Sequence, residues 1–260
     1  MKAEQHVTSP DGTRIAFDRI GSGPPIILVD AAAGFRGFGP MPALAAELAG
    51  AFTAITYDRR GRGASTDTPP YAVEREVEDL AALIEAAGGE AFVHGFSSGA
   101  ALALHAAAAG VPIRRLSLLE PAIDLDPPAA DEPDLGNEIE QRVAQGRRAD
   151  AVEHFNRSIG VPDEYLVGMR EAPFWPALEA LAHTLAYDTR ITAAMTPEVV
   201  ASVDTPALVV NSEASDPRLV GWGREVAARL PNGTHLMLPG KWHGVAPEVL
   251  APALGQFLHG

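Results

Sequence analysis

A chain of 260 residues, 47% of them apolar and 21% charged, has the size and composition of one ordered α/β domain carrying an insertion. Twenty Lys and Arg against 34 Asp and Glu leave a formal net charge of -14, which repels phosphate backbones and anionic lipid surfaces, so neither nucleic acid nor membrane is expected as a partner. The absence of cysteine removes disulfides, thiolate metal sites and thiol catalysis from consideration.

The opening MKAEQHVTSPDGTR lacks the apolar core of a signal segment, and no stretch approaches a membrane span, so a soluble cytoplasmic protein is the expectation. Residues 5 to 20 alternate around Asp11-Gly12, a pair suited to a type I′ turn, which predicts a β-hairpin at the antiparallel edge of a sheet. The apolar run PIILV, residues 25 to 29, reads as a strand buried on both faces, followed by a helix over 42–48 and a strand over 52–57. A helix over 74–87, a strand over 91–93, a helix over 100–109 and a strand over 116–119 continue the alternation.

From residue 121 to about 204 the pattern is helical only, with segments at 134–145, 149–158, 163–170 and 176–187. A proline- and acid-rich loop over 124–134 leads into this block. The sheet resumes at 207–210, then come a helix over 219–230, a strand over 234–238 and a closing helix over 247–258. The expected division is a core of residues 1–121 and 205–260 with a helical lid, 122–204, inserted between two strands.

Between a strand and a helix lies HGFSSG, in which Gly95-Phe96-Ser97-Ser98-Gly99 fits G-x-S-x-G with Ser97 in the nucleophile position. Side chains at the two glycines would collide with neighbouring elements in so sharp a turn. A serine hydroxyl is a weak nucleophile at neutral pH and needs an imidazole to take its proton. His243, in the loop after the last strand, is the histidine placed to do so, whereas His94 reads as a packing or hydrogen-bonding residue.

Taken with the hairpin, YDRRGRGAS at 57 to 65, HGFSSGAALAL at 94 to 104 and LPGKWHGVAPE at 238 to 248, the chain resembles the α/β-hydrolase family. The resemblance implies a mostly parallel twisted sheet with an antiparallel N-terminal hairpin and a helical lid, and a triad in the order nucleophile, acid, histidine. Two positions depart from the pattern. Asp30-Ala31 stands where the family commonly has His-Gly; backbone N–H groups of Ala32, or Ala31, and of Ser98 would form the oxyanion hole, and Asp30 would either bond the loop or charge the pocket. Ser215 stands where the family places its aspartate, which leaves Asp216 as the favoured acid, with Glu213 and Glu120 as alternatives.

The arginine-rich 58–63 stretch lacks the lysine and spacing of a P-loop and reads as structural, with its aspartate holding the turn. Phe35, Phe38 and Trp175 are the candidate substrate-binding aromatics, and Arg36 is either a contact for an acidic substrate group or a surface arginine. The resemblance implies a serine hydrolase acting on an ester or lactone of a small to medium, largely apolar substrate, without a metal or organic cofactor. A cyclase or lyase using the same pocket, or a ligand binder that has lost turnover, are the alternatives.

Overall fold

A computed structural model describes residues 5–126 and 133–260; most of the expected loop over 124–134 lies outside them. The apolar runs pair into one eight-stranded sheet: β1 (Gln5–Thr8), β2 (Arg14–Gly21), β3 (Pro25–Val29), β4 (Thr53–Tyr57), β5 (Ala91–Phe96), β6 (Ile113–Leu119), β7 (Ala207–Ser212) and β8 (Gly233–Leu238). The strand order is β1-β2-β4-β3-β5-β6-β7-β8, antiparallel at β1, β2 and β4 and parallel from β4 to β8.

Because side chains alternate along a strand, β3 sends Ile27 and Val29 to one face and Ile26 and Leu28 to the other, and both faces are covered. The first face packs on α2 (Val73–Ala87), α3 (Ser98–Ala108) and α10 (Pro217–Arg229); the second packs on α1 (Met41–Leu48) and α11 (Pro247–His259). The chain leaves β3 toward β4 on one side and returns to β5 on the other, so the loop after β3 and the turn after β5 meet at the point where strand order reverses. Open α/β sheets bind ligands at such a point, beyond the carboxyl ends of the strands.

Between β6 and β7 run α4 (Leu135–Ala144), α5 (Arg148–Ser158), α6 (Asp163–Glu171), α7 (Trp175–Leu181), α8 (Leu185–Ala193) and α9 (Pro197–Ala201). The single helix expected over 176–187 is broken by a 3-10 turn, Ala182–Thr184. Arg148 takes the carbonyls of Glu179 and Ala180, both at 2.6 Å, and the Thr184 hydroxyl bonds back to Leu181 O at 2.9 Å, so the last turn of α7 is satisfied without continuing. The short α9 was not expected, although Thr196-Pro197 is a cap followed by a proline at the first helical position. The hairpin turn also differs: Gly12 N–H closes on Ser9 O at 2.9 Å and only Gly12, φ 88°, has positive φ, so the turn is not type I′.

The sharp turn after β5 depends on its flanking glycines. A Cβ on Gly95 would stand 2.4 Å from Gly99 O, and one on Gly99 would stand 2.5 Å from Val29 O and 2.6 Å from Asp30 O, all of them backbone atoms. Gly99→Ala is therefore expected to lower stability by about 1–3 kcal/mol or more. Gly255→Ala, inside α11 with nothing within 4 Å of its Cβ, should raise it by about 0.5–1 kcal/mol. Urea midpoints of the two variants against wild type test the pair of signs.

Candidate active site

β5 ends at Phe96 and α3 begins at Ser98, which leaves Ser97 as the helix cap in a strained conformation, φ 55° and ψ -119°. Among the described residues the non-glycine positions with positive φ are Ala33, Ser97, Glu120 and His243. They come from four separate loops at the carboxyl ends of β3, β5, β6 and β8. Each such conformation costs on the order of 1–3 kcal/mol, and strain of this kind clusters at functional sites.

His243 is carried by a tight turn in which Lys241 and Gly244 exchange backbone hydrogen bonds at 2.9 and 3.2 Å, with Trp242 and His243 at the tip. Its Nε2 lies 3.0 Å from Ser97 Oγ, a direct hydrogen bond. The Phe96 and Trp242 rings stand 5.1 and 5.5 Å from the imidazole, centroid to centroid. Burial among them disfavours the charged imidazolium and lowers the His243 pKa, an effect that the Glu120 charge partly opposes. His94 is in a different setting: fully buried, it meets Ser117 Oγ at 3.1 Å, and burial pushes its pKa down to about 3.

The carboxylate facing His243 is that of Glu120, whose Oε2 is 3.8 Å from Nδ1. That distance is electrostatic contact rather than a hydrogen bond, and a shift of about 1 Å would close it. Glu120 is fully buried, and its other oxygen accepts from Ser212 N–H at 2.5 Å and from Ser215 Oγ at 2.6 Å. Ser215 thus bonds to an acid supplied by the neighbouring strand. Asp216, the acid favoured from sequence, is placed elsewhere: it is exposed and caps α10 by accepting from Arg218 N–H at 2.8 Å. Glu213 is also exposed. Glu120, which follows the last residue of β6, was one of the two alternatives to Asp216 in the sequence.

In the loop after β3, Ala31 N–H bonds to Asp30 Oδ1 at 2.8 Å, while Ala32 N–H has no acceptor among the described residues. Ser98, the first residue of α3, presents its N–H at an open helix end. Asp30 itself is 3% exposed, and its Oδ2 has no hydrogen-bond partner among the described residues. Gly34 and Gly39 press so closely that a Cβ on either would fall 2.4 or 2.2 Å from the carboxyl group. Burial therefore pushes the Asp30 pKa up to about 6, against the Ala31 N–H and the Arg62 and Arg59 charges.

Asp58, Arg59, Arg60 and Arg62 of the 58–63 loop are buried. Asp58 accepts from Ala64 N–H and Arg36 N–H at 2.9 and 2.7 Å. Arg59 pairs with Glu76 and Asp188, Arg60 with Asp79 and Asp11, and Arg62 with Asp188. Arg36 bridges Asp18 and Asp58 at 2.9 and 3.0 Å, so its guanidinium is already engaged. Phe35 and Phe38 lie at the ends of another tight turn, with the Phe38 ring 5.2 Å from Phe174 of the insertion. Trp175 is placed differently: 6% exposed, it packs with Ile139, Phe155 and Leu185 inside the insertion.

A cavity of about 160 Å³ adjoins His243, walled by Met41, Leu44, Phe96, Leu119 and Leu250. A larger groove of about 460 Å³ between β1 and α2 is lined by Thr8, Ile84 and Pro112 and holds no histidine or arginine. No group of residues able to hold a metal ion occurs among the described residues, and none of their helices is long and apolar enough to cross a membrane.

A carboxyl group whose folded pKa lies above its unfolded value of 3.8 favours the fold while protonated; for Asp30 that contribution is present below 3.8 and is lost as pH rises through about 6. Wild type should therefore lose about 2 to 3 kcal/mol relative to Asp30→Asn between acid and neutral pH. Urea unfolding of both proteins at pH 4 and pH 8 measures the difference, and a constant difference would refute it.

Residues 15–253 match the alpha/beta hydrolase family. Among solved structures, an alpha/beta hydrolase from Sphaerobacter thermophilus is 47% identical, with a TM-score of 0.90 over 98% of this chain and 100% of that one. A thermophilic esterase from Thermogutta terrifontis is 22% identical, with a TM-score of 0.74 over 99% and 98% of the two chains. An enol-lactonase from Burkholderia xenovorans is 19% identical, with a TM-score of 0.71 over 98% and 100%. No protein of curated function matches the sequence. With its family match running through nearly all of the sheet and a relative that is nearly half identical over its full length, this chain belongs to the alpha/beta hydrolase family.

Proposed function

We propose that the protein is a serine hydrolase cleaving an ester or lactone of a small, largely apolar substrate through an acyl-enzyme on Ser97. The observation that carries this reading is the 3.0 Å contact of Ser97 Oγ with His243 Nε2, made between two residues held in strained backbone conformations. His243 takes the hydroxyl proton as Oγ attacks the carbonyl carbon, then returns it to the departing alkoxide. Water repeats the sequence in the second half: His243 takes its proton, the hydroxide attacks the acyl carbon, and Ser97 Oγ recovers the proton as the acid is released. Glu120 steadies the imidazolium in both halves, and the N–H groups of Ala32 and Ser98 receive the negative oxygen.

The cavity beside His243 supports an apolar substrate arm. Its volume is close to that of an engineered cavity of about 150 Å³ that holds benzene, so it suits a group of about six carbons. The helices between β6 and β7 would serve as the lid, a role supported by the packing of Ala32 and Ala33 against their apolar cluster. The reading is supported by an esterase and an enol-lactonase that share the fold.

Fluorophosphonate labelling followed by intact-mass analysis should modify Ser97 stoichiometrically, with the modification lost in Ser97→Ala and His243→Ala. On short p-nitrophenyl esters both variants should lose at least about 10³-fold in kcat/KM. An unlabelled, folded wild type would reject the reading.

The pH profile separates the candidate acids. Neutral His243 is the active base, so kcat/KM is full at high pH and falls as pH drops through its pKa, which lies below the usual 6.5. Glu120→Gln removes the charge that raises that pKa; the acid limb should move to lower pH and the plateau should fall at least about tenfold. Asp216→Ala should leave the limb in place and cost about 1 kcal/mol of stability through the lost helix cap. The reverse assignment of the two effects would make Asp216 the acid.

A further inference from the structure

One buried carboxylate on the insertion touches Ser98 of the proposed oxyanion hole and is linked to the other half through Arg62. Asp188, on α8, is 2% exposed. Its Oδ1 accepts from Ser98 Oγ at 2.8 Å, from Arg59 Nη1 at 2.7 Å and from Arg62 Nη2 at 2.9 Å, and its Oδ2 accepts from Arg62 Nη2 at 2.8 Å. Arg62 in turn donates through Nη1 to Ala31 O at 2.7 Å and to Gly34 O at 3.3 Å, while Arg59 Nη1 reaches Asp30 O at 3.4 Å. Ala32 and Ala33 pack against the same apolar cluster that buries Leu185 and Ala186 of α8.

The peptide geometry turns these contacts into aim. Ala31 C=O and Ala32 N–H belong to one planar trans peptide and point in opposite directions, so the oxygen held by Arg62 dictates where the Ala32 N–H is directed. Arg59 has a second carboxylate in Glu76, at 2.7 and 2.9 Å, but Asp188 is the ion-pair partner the described residues give Arg62. On the other side, the Ser98 hydroxyl ties the first residue of α3, and with it the second N–H, to the same carboxylate.

We propose that Asp188 is a positioning residue that sets the geometry of the oxyanion hole, acting on Ala32 through Arg62 and on Ser98 through its hydroxyl. The insertion then contributes to rate as well as covering the site. This inference rests on the hydrolase reading. Burial opposes ionisation of Asp188, but the Arg62 and Arg59 charges outweigh it and hold the carboxyl below its usual range, so the clamp stays charged across the working pH of a histidine base.

The test compares wild type, Asp188→Asn and Ser98→Ala by kcat and KM on a p-nitrophenyl ester and by inhibition with an alkyl boronic acid, which forms a tetrahedral anion on the serine. For Asp188→Asn, kcat should fall about tenfold or more, with KM within about threefold and boronate affinity falling in parallel with kcat. Ser98→Ala removes one oxygen and keeps the N–H; it should show the same split at about three- to tenfold, and it carries the test if Asp188→Asn fails to fold. The acid limb of the pH profile should not move in either variant, because neither touches His243. A folded variant with kcat and boronate affinity both within about twofold of wild type overturns the proposal, as does a loss confined to KM or accompanied by a displaced limb. Fluorophosphonate labelling of wild-type Ser97 separates the two failures: labelled wild type with unaffected variants overturns the clamp alone, whereas unlabelled wild type removes the hydrolase reading and the clamp with it.

Discussion

Three arginines of one short loop, Arg59, Arg60 and Arg62, are each no more than 1% exposed, and much of the structure is organised by the need to neutralise them. A buried charge without a partner costs several kcal/mol, so every segment that supplies a carboxylate is constrained in position. Asp11 comes from the hairpin turn, Glu76 and Asp79 from α2, and Asp188 from α8, so the network ties the antiparallel edge, a sheet-covering helix and the insertion to one loop. The same guanidinium groups hold the carbonyls of Asp30, Ala31 and Gly34, linking the network to the loop after β3. The network is therefore a strong specifier of arrangement and a weak source of net stability.

The strain in the molecule has a complementary distribution. Ala33, Ser97, Glu120 and His243 adopt positive φ in four loops at the same end of the sheet, where the parallel strands deliver their successors to a common region. Such conformations persist only where surrounding contacts over-determine them. Ser97 is held between close-packed glycines and the N-terminus of α3, His243 by the Lys241–Gly244 turn, and Glu120 by Ser212, Ser215 and Asn211. Rigid packing on two faces of the sheet supports a site that would not hold its shape alone.

Strands and helices of the core were legible because parallel strands buried on both faces read as uninterrupted apolar runs and the covering helices as amphipathic stretches. Boundaries moved by a few residues, as at β6, which begins at Ile113, and at β5, which extends to Phe96 because Gly95 still pairs with Val29 and Leu118. The insertion was less legible. Nothing local to residues 176–187 announces that Arg148, far away in sequence, will take the carbonyls that end α7. Trp175 read as a candidate for the pocket because an aromatic beside a proline on a lid has no preferred face until its neighbours are known, and those neighbours are the insertion's own core. The choice among Asp216, Glu213 and Glu120 was open for a related reason: all three lie in loops that follow sheet strands, and only their direction separates them.

The sequence by itself determined the α/β architecture, the strand-turn-helix around Ser97 and the histidine-bearing loop after the last strand, since each is written in local periodicity, glycine placement and loop chemistry. Tertiary structure alone decided which carboxylate faces His243, where the aromatic side chains point and which buried groups are coupled. Glu120 and His243 are brought together by the parallel strands β6 and β8 on either side of β7 and by a turn, and Asp188 meets Ser98 and Arg62 through packing of α8 on the core. These contacts depend on angles and distances between elements remote in the chain. A local pattern of residue types specifies what each element is, and only the packing of elements specifies which side chains meet.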